Sequence, residues 1–579
     1  MAATLSITNP TAPPRWALLQ RQLIAAESQA CEEFYARFFD ERGYLRCLPR
    51  WGGNDGPDDA IENCTGWPIL HAIGGSDSVL AMAKQAWEGH ILQYTEAKTV
   101  DVPFAREGMY YKEFSVMFDF FHHQEGLVVL NLQGFSDPYD DCMEKRLRRF
   151  SGFYMDEDPQ AKNYDPEHKI IRSMFTGSRG PLLRKATALD WAGDPIDVDN
   201  FPDPKHGERN WDEMLAHFEE YTDVVGDHPL NLQATSLAAN AYACTGDKKY
   251  RDWLVEYVDA WSERTAANDG VIPSNIGLDG TIGGECDGKW YGGCYGWAHT
   301  VTVPQTGAKA NRNTVPRAVI GFGNALLVTG KQKYIDVWRR MLATINANAK
   351  EVDGQTVYPS MYGDDGWYAY GPHPYSAGAL QTYLWSMDPN DRTLADNDWI
   401  RYLEGENSDY PVAALESALE QLRKRVEGMR AEKATDDTRL SDDTLQFNPA
   451  VINSLVELML GGHTPAFGET LHVRLRYFDP DRGRAGIPED VGALIESLKD
   501  DEVVVNLVNT SPVNPRTLIV QAGAYAEHQF TSATSDAGDE IAVGDSSFRV
   551  KLAPGTGTKL TIKMQRYQNS PTFTFPWDR

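Results

Sequence analysis

Two stretches 84 residues apart carry the same helical-hairpin pattern. A chain built on such a repeat has few ways to close its core. Asn240–Ala260 reads NAYACTGDKKYRDWLVEYVDA and Asn324–Thr344 reads NALLVTGKQKYIDVWRRMLAT. Asn240/Asn324, Thr245/Thr329, Gly246/Gly330, Lys249/Lys333, Tyr250/Tyr334 and Asp252/Asp336 coincide. Each copy reads as an apolar helix stopped by a glycine at the C-cap, a short turn and a second, amphipathic helix. A weaker copy runs over Leu70–Trp87. Hairpins repeated at this period bury their apolar faces only on one another, which predicts a helical array or a closed α/α toroid.

Helical periodicity runs from about Trp16 to about Leu460. It includes Leu18–Phe39, Ser78–Thr95, Leu230–Cys244, Thr314–Val328, Val412–Glu432 and Asp442–Met459. After Gly461–Gly462 the pattern changes to short β-branched runs: Leu471–Tyr477, Val503–Val508, Thr517–Gln521, Phe548–Leu552 and Lys559–Met564. The expected fold is mainly α, with a helical-hairpin toroid over residues 1–460 and a C-terminal antiparallel β-sandwich over 461–579.

Composition narrows the function. A net charge of −28 with no long basic stripe argues against nucleic-acid binding. No run approaches 18 apolar residues, so no membrane span is expected. The N-terminus lacks a basic stretch followed by an apolar core, and the seven cysteines are scattered without CxxC spacing. Both point to a reducing, cytoplasmic setting with free thiols.

The chemistry-bearing residues sit in loops between the helices. Tyr358–Tyr375 (YPSMYGDDGWYAYGPHPY) holds six aromatic residues with Asp364, Asp365 and His373, broken by glycine and proline into a loop. Glu285–His299 (ECDGKWYGGCYGWAH) alternates Trp290, Tyr291, Tyr295 and Trp297 with glycines that let a ligand approach the rings. Rings of this kind stack on sugar faces. In Trp51–Glu62 (WGGNDGPDDAIE), Asp58 and Asp59 read as helix caps and Asp55 as the better site candidate. Asp119–Gly126 (DFFHHQEG) places Asp119, His122 and Glu125 close together. It lacks the HExxH spacing, so His122 is expected to act on substrate and no metal or other cofactor is expected. Two basic segments add Asn163, Tyr164, His168, Arg172, Arg179 and Arg312 as substrate contacts, since Arg forks pair with carboxylates.

Hairpins with TGD-KY turns, aromatic–acidic loops and trailing strands resemble the (α/α)6 toroid carbohydrate enzymes, glycoside hydrolases and uronate polysaccharide lyases among them. Asp365–His373 is similar to the Asp-Gly-Ser-aromatic-x-x-His loop of toroidal lyases, with Trp367 in place of the Ser and the His displaced. The resemblance implies an oligo- or polysaccharide partner. The first expectation is β-elimination on an acidic, uronate-containing glycan. Tyr362 is then the base, His122 and His373 are neutraliser or alternative base, and the arginines meet the uronate carboxylate. The second is hydrolysis by a carboxylate pair, Asp55 and Asp365. A glycan-binding protein without catalysis needs the rings but not the acids. Trp290, Tyr291, Trp297 and Trp367 are the expected stacking platform in all three readings.

Overall fold

The computed structural model describes every residue except 1–2, 54, 98, 100, 195–209 and 305. The two repeat copies fold alike. Helix Thr235–Thr245 ends at Gly246 and helix Val319–Thr329 at Gly330, each glycine at φ +68. That left-handed conformation is the one a glycine adopts without strain. Thr245 and Thr329 each donate a side-chain hydrogen bond back to the carbonyl four residues earlier and accept the amide two residues later, which fixes the turn. The following helices, Lys248–Ala267 and Lys333–Asn346, bury Tyr250 and Tyr334. In each, the preceding lysine ammonium sits over the tyrosine ring, at 4.8 and 4.7 Å from its centre.

The helical part returns to its start. The first long helix, Arg15–Phe38, packs against the last, Tyr410–Ala431. The Arg430 guanidinium closes that seam with two 2.7 Å hydrogen bonds to Glu33. Among the described residues no helix is long and apolar enough to cross a membrane. The helix expected over Asp442–Met459 is not continuous. A 3-10 turn at Leu445–Phe447 and a helical stretch from Asn453 to Leu460 flank an extended passage at Asn448–Pro449. Proline disfavours helical backbone before it, and Asn448 instead accepts the indole N–H of Trp67 at 2.9 Å.

Two five-stranded sheets follow. One runs Val491–Leu498, Glu502–Asn509, Gly557–Gln565, Gln529–Ser535, Glu540–Asp545 in spatial order and is antiparallel throughout. The other is ordered Thr4–Ile7, Ser547–Leu552, Arg516–Ala522, Leu475–Asp479, Arg484–Ala485. Its first pair is parallel, so this sheet is mixed rather than purely antiparallel, and the N-terminal strand belongs to it. The repeat asparagines tie the helices to the segments that flank these strands. Buried Asn240 accepts the Tyr525 hydroxyl at 3.0 Å. Buried Asn324 accepts the Thr470 hydroxyl and donates to Thr235 and Ser236 at 2.9 and 3.1 Å.

Candidate active site

A short helix, Pro57–Glu62, carries the centre of the site. Pro57 at its first position needs no amide partner and Gly56 precedes it in extended backbone. A side chain at Gly56 would place its Cβ 2.5 Å from Asp58 Oδ1, so the glycine makes room for that carboxylate. The helix packs against a second short one, Phe120–Gly126. Together they bring Asp58, His122 and Glu125 to within 4.8 Å of one another, counted between one polar atom of each. Asp59, Glu62 and Glu125 meet by the same measure, so Glu125 is common to both groups. Asp58, Glu62 and Glu125 are buried, whereas Asp59 and His122 are half-buried and open the cluster to solvent.

Asp119 organises the second helix. Its Oδ1 accepts the His122 amide at 3.0 Å as the N-cap, and its Oδ2 lies 2.8 Å from His122 Nδ1. One carboxylate therefore starts the helix and aims the imidazole. Burial works against the imidazolium, but Asp119, Asp58 and Glu62 outweigh it and lift the His122 pKa. Burial raises Asp58 to about 6 against the pull of His122. Burial and the neighbouring carboxylates push Asp59 and Glu125 well above the usual range. Arg317 opposes this at Glu125 and at Glu469, which burial raises to about 7. The Arg317 guanidinium lies 4.1 Å from the Phe121 ring centre, beside the cluster.

The two aromatic loops meet one another. Tyr362 lies between Trp290, Tyr291 and Trp367, with ring centres 4.6, 5.1 and 5.0 Å away. Its amide donates to the Trp297 carbonyl at 3.2 Å. The Tyr358–Tyr375 segment is not all loop, because Met361–Gly363 and Gly366–Tyr368 pair as a hairpin with Asp364–Asp365 at its turn. Asp364 accepts the Tyr291 hydroxyl at 2.8 Å and binds Lys289, which locks the two loops together. Further along the first loop, Tyr295 takes φ +60, a left-handed value that bulky residues seldom adopt. Burial and the Asp119 charge both raise its hydroxyl pKa. A chain of ring contacts from Tyr295 through Trp191 and Phe118 ends on His122.

The remaining expected residues are placed differently. Asp55 is 1% exposed, accepts the Ser441 amide at 2.8 Å and lies 3.6 Å from Arg50, while Asp365 is exposed at the hairpin turn. The carboxylates that lie together are thus Asp58, Asp59, Glu62 and Glu125 rather than Asp55 and Asp365. Asn163 braces Ser173 by two hydrogen bonds, and the Tyr164 hydroxyl donates to Glu256 at 2.9 Å. Arg179, with an 81% exposed side chain, pairs with Glu107. The His168 carbonyl accepts from Arg264. Arg172 is half-buried, and Arg312 and His373 are exposed. Trp297 is fully buried, its indole N–H on the Ile272 carbonyl, so it supports the platform from below.

Residues 3–361 and 391–456 match the family model described as a domain of unknown function, DUF8034. The chain belongs to the DUF8034 family. Within this DUF8034 chain the acidic cluster and the loop Glu285–His299 lie inside the matched span, and the hairpin turn Asp364–Asp365 lies outside it. The chain matches no curated protein. Among solved structures it is similar to the GH76A α-1,6-mannanase of a Salegentibacter species, at 10% identity and TM-score 0.30, over 76% of this chain and 99% of the mannanase. A glycoside hydrolase family 76 mannosidase from Bacteroides thetaiotaomicron gives 9% and 0.34, over 76% and 98%. A cellobiose 2-epimerase from Bacillus thermoamylovorans gives 12% and 0.22, over 60% and 92%.

Proposed function

We propose that this chain hydrolyses glycosidic bonds in a neutral glycan, with Asp59 and Glu62 as its carboxylate pair, on helical hairpins that close as a toroid. The observation that carries the proposal is the reach of one loop. Glu285–His299 supplies Trp290 and Tyr291 to a ring platform and, a few residues on, Tyr295, which the rings of Trp191 and Phe118 join to His122 of the cluster. Apolar ring faces bind sugar rings, and carboxylates at the end of such a platform are the groups that glycoside cleavage uses.

In this reading half-buried Asp59 hands its proton to the glycosidic oxygen as the bond breaks. Glu62, one helical turn on, attacks the anomeric carbon, and water, giving its proton back to Asp59, then releases the sugar and frees Glu62. Oxygens within 4.8 Å of one another belong to the close spacing that accompanies retention of configuration. Neutral glycans suit the site better than uronates, because a carboxylate substrate would enter a cluster of four acidic side chains faced by Arg317. The base expected for β-elimination, Tyr362, is packed among three other rings, which suits stacking better than proton abstraction.

A panel of neutral and uronate-containing oligosaccharides tests the proposal. Release of new reducing ends from a neutral member is the expected result. An unsaturated uronate product, read by its ultraviolet absorbance, would replace hydrolysis by elimination, and binding without turnover would leave a glycan-binding protein.

A further inference from the structure

The other half of the cluster has the features of a metal centre. Asp58, His122 and Glu125 present one polar atom each within 4.8 Å of one another. Metal–ligand bonds to imidazole nitrogen and carboxylate oxygen are about 2.0–2.2 Å. Three donors at this separation therefore need only a small inward shift to share one ion.

Two further observations point to a ligand. First, Asp58 is 1% exposed and its Oδ1 has no hydrogen-bond partner among the described residues. A buried carboxylate oxygen without a donor costs free energy that a bound cation would recover. Second, His122 is oriented as metal-binding histidines are. Its Nδ1 lies 2.8 Å from Asp119 Oδ2, so Nδ1 carries a proton and, in the neutral ring, the other nitrogen is the one whose lone pair can meet a cation. A carboxylate behind the imidazole in this way fixes the tautomer and strengthens the ligand. Asp119 is itself held in place as the helix N-cap. His122 is half-buried, which leaves the ion a way in.

We infer that Asp58, His122 and Glu125 bind one divalent transition-metal cation, with Asp119 positioning the histidine. One nitrogen and two carboxylates suit Mn2+, Co2+ or Zn2+ better than Ca2+, which takes six to eight oxygens. Two carboxylates balance a divalent charge, and an ion here would ease the repulsion on Asp59 and Glu62, which approach Glu125 from the other group. Bound beside them, such an ion supplies Lewis acidity and charge stabilisation.

Binding is read without any substrate, so the result is independent of the glycan reading. The full chain is stripped with a chelator and titrated with MnCl2, and separately with ZnCl2, by calorimetry. Co2+ loading is followed by its visible absorption. The expected result is one equivalent bound at micromolar Kd or tighter, a Co2+ spectrum that disappears in His122→Ala, and Kd raised at least about 100-fold in Glu125→Gln. Asp119→Asn, which keeps the helix cap, is expected to raise Kd by about 10- to 100-fold. If His122→Ala does not fold, Glu125→Gln and Asp119→Asn carry the test. No saturable binding below about 1 mM, or binding unchanged in Glu125→Gln, overturns the inference.

Discussion

Asp119 holds His122 twice, by its amide at 3.0 Å and by its imidazole Nδ1 at 2.8 Å. The two bonds make different predictions for two substitutions. Asparagine caps a helix about as well as aspartate, so Asp119→Asn should leave the melting temperature near that of the wild type. It removes the charge behind the imidazole and so weakens the hold on the inferred cation, and activity without added metal should fall about 10-fold or more in kcat. Asp119→Ala should lose both, with a further stability cost of about 1 kcal/mol. Equal activity in Asp119→Asn and wild type would leave Asp119 as a cap alone.

The aromatic platform should contribute binding rather than chemistry. Trp290→Ala is expected to raise KM by about 10-fold, roughly 1.4 kcal/mol, with kcat little changed. A matching loss in kcat with unchanged KM would move Trp290 into the chemical step.

The repeat asparagines should report on the join between helices and sheets. Asn324 makes three buried side-chain hydrogen bonds and Asn240 accepts one from Tyr525. Asn324→Ala should destabilise by about 2–4 kcal/mol, more than Asn240→Ala at about 1–2 kcal/mol. Denaturant unfolding of the two variants checks the order, and the reverse order would contradict it.

Stability should depend on pH through Glu27. Burial raises this carboxyl from 4.5 to about 8, although its Oε1 accepts the Val451 amide at 3.0 Å. The folded state therefore holds a proton that the unfolded chain has released, so the contribution of Glu27 is complete below about pH 4.5 and is lost as pH rises towards 8. At about 1.4 kcal/mol per pKa unit, the loss amounts to a few kcal/mol. Glu27→Gln keeps the acceptor for Val451 and should lessen the slope of melting temperature against pH over that range, the rest of which Asp58 and Glu469, also raised by burial, share. An unchanged slope would assign the pH dependence elsewhere.

Local chemistry made the hairpins legible. Gly246 and Gly330 stand where the backbone must turn left-handed, and that demand is written in two or three neighbouring residues. The aromatic loops were legible for the same reason, because their ring content is unusual wherever they end up. The acidic cluster was only half legible. Asp58 and Asp59 follow Pro57, and a first-turn carboxylate satisfies helix amides, so capping accounted for them without any partner. What groups them with other carboxylates is Glu125, more than sixty residues away and brought in by packing of two short helices. For Asp55, nothing near it in sequence announces Ser441, whose amide and hydroxyl both meet its Oδ1.

The most direct test of the account compares wild type with Asp59→Asn and Glu62→Gln on a neutral oligosaccharide that the wild type cleaves, following reducing ends and the anomeric form of the first product by NMR. A retained anomer from the wild type and a loss of about 1,000-fold or more in both variants, with melting temperatures preserved, are expected. Turnover in Asp59→Asn and Glu62→Gln at the wild-type rate would contradict the proposed roles of this pair.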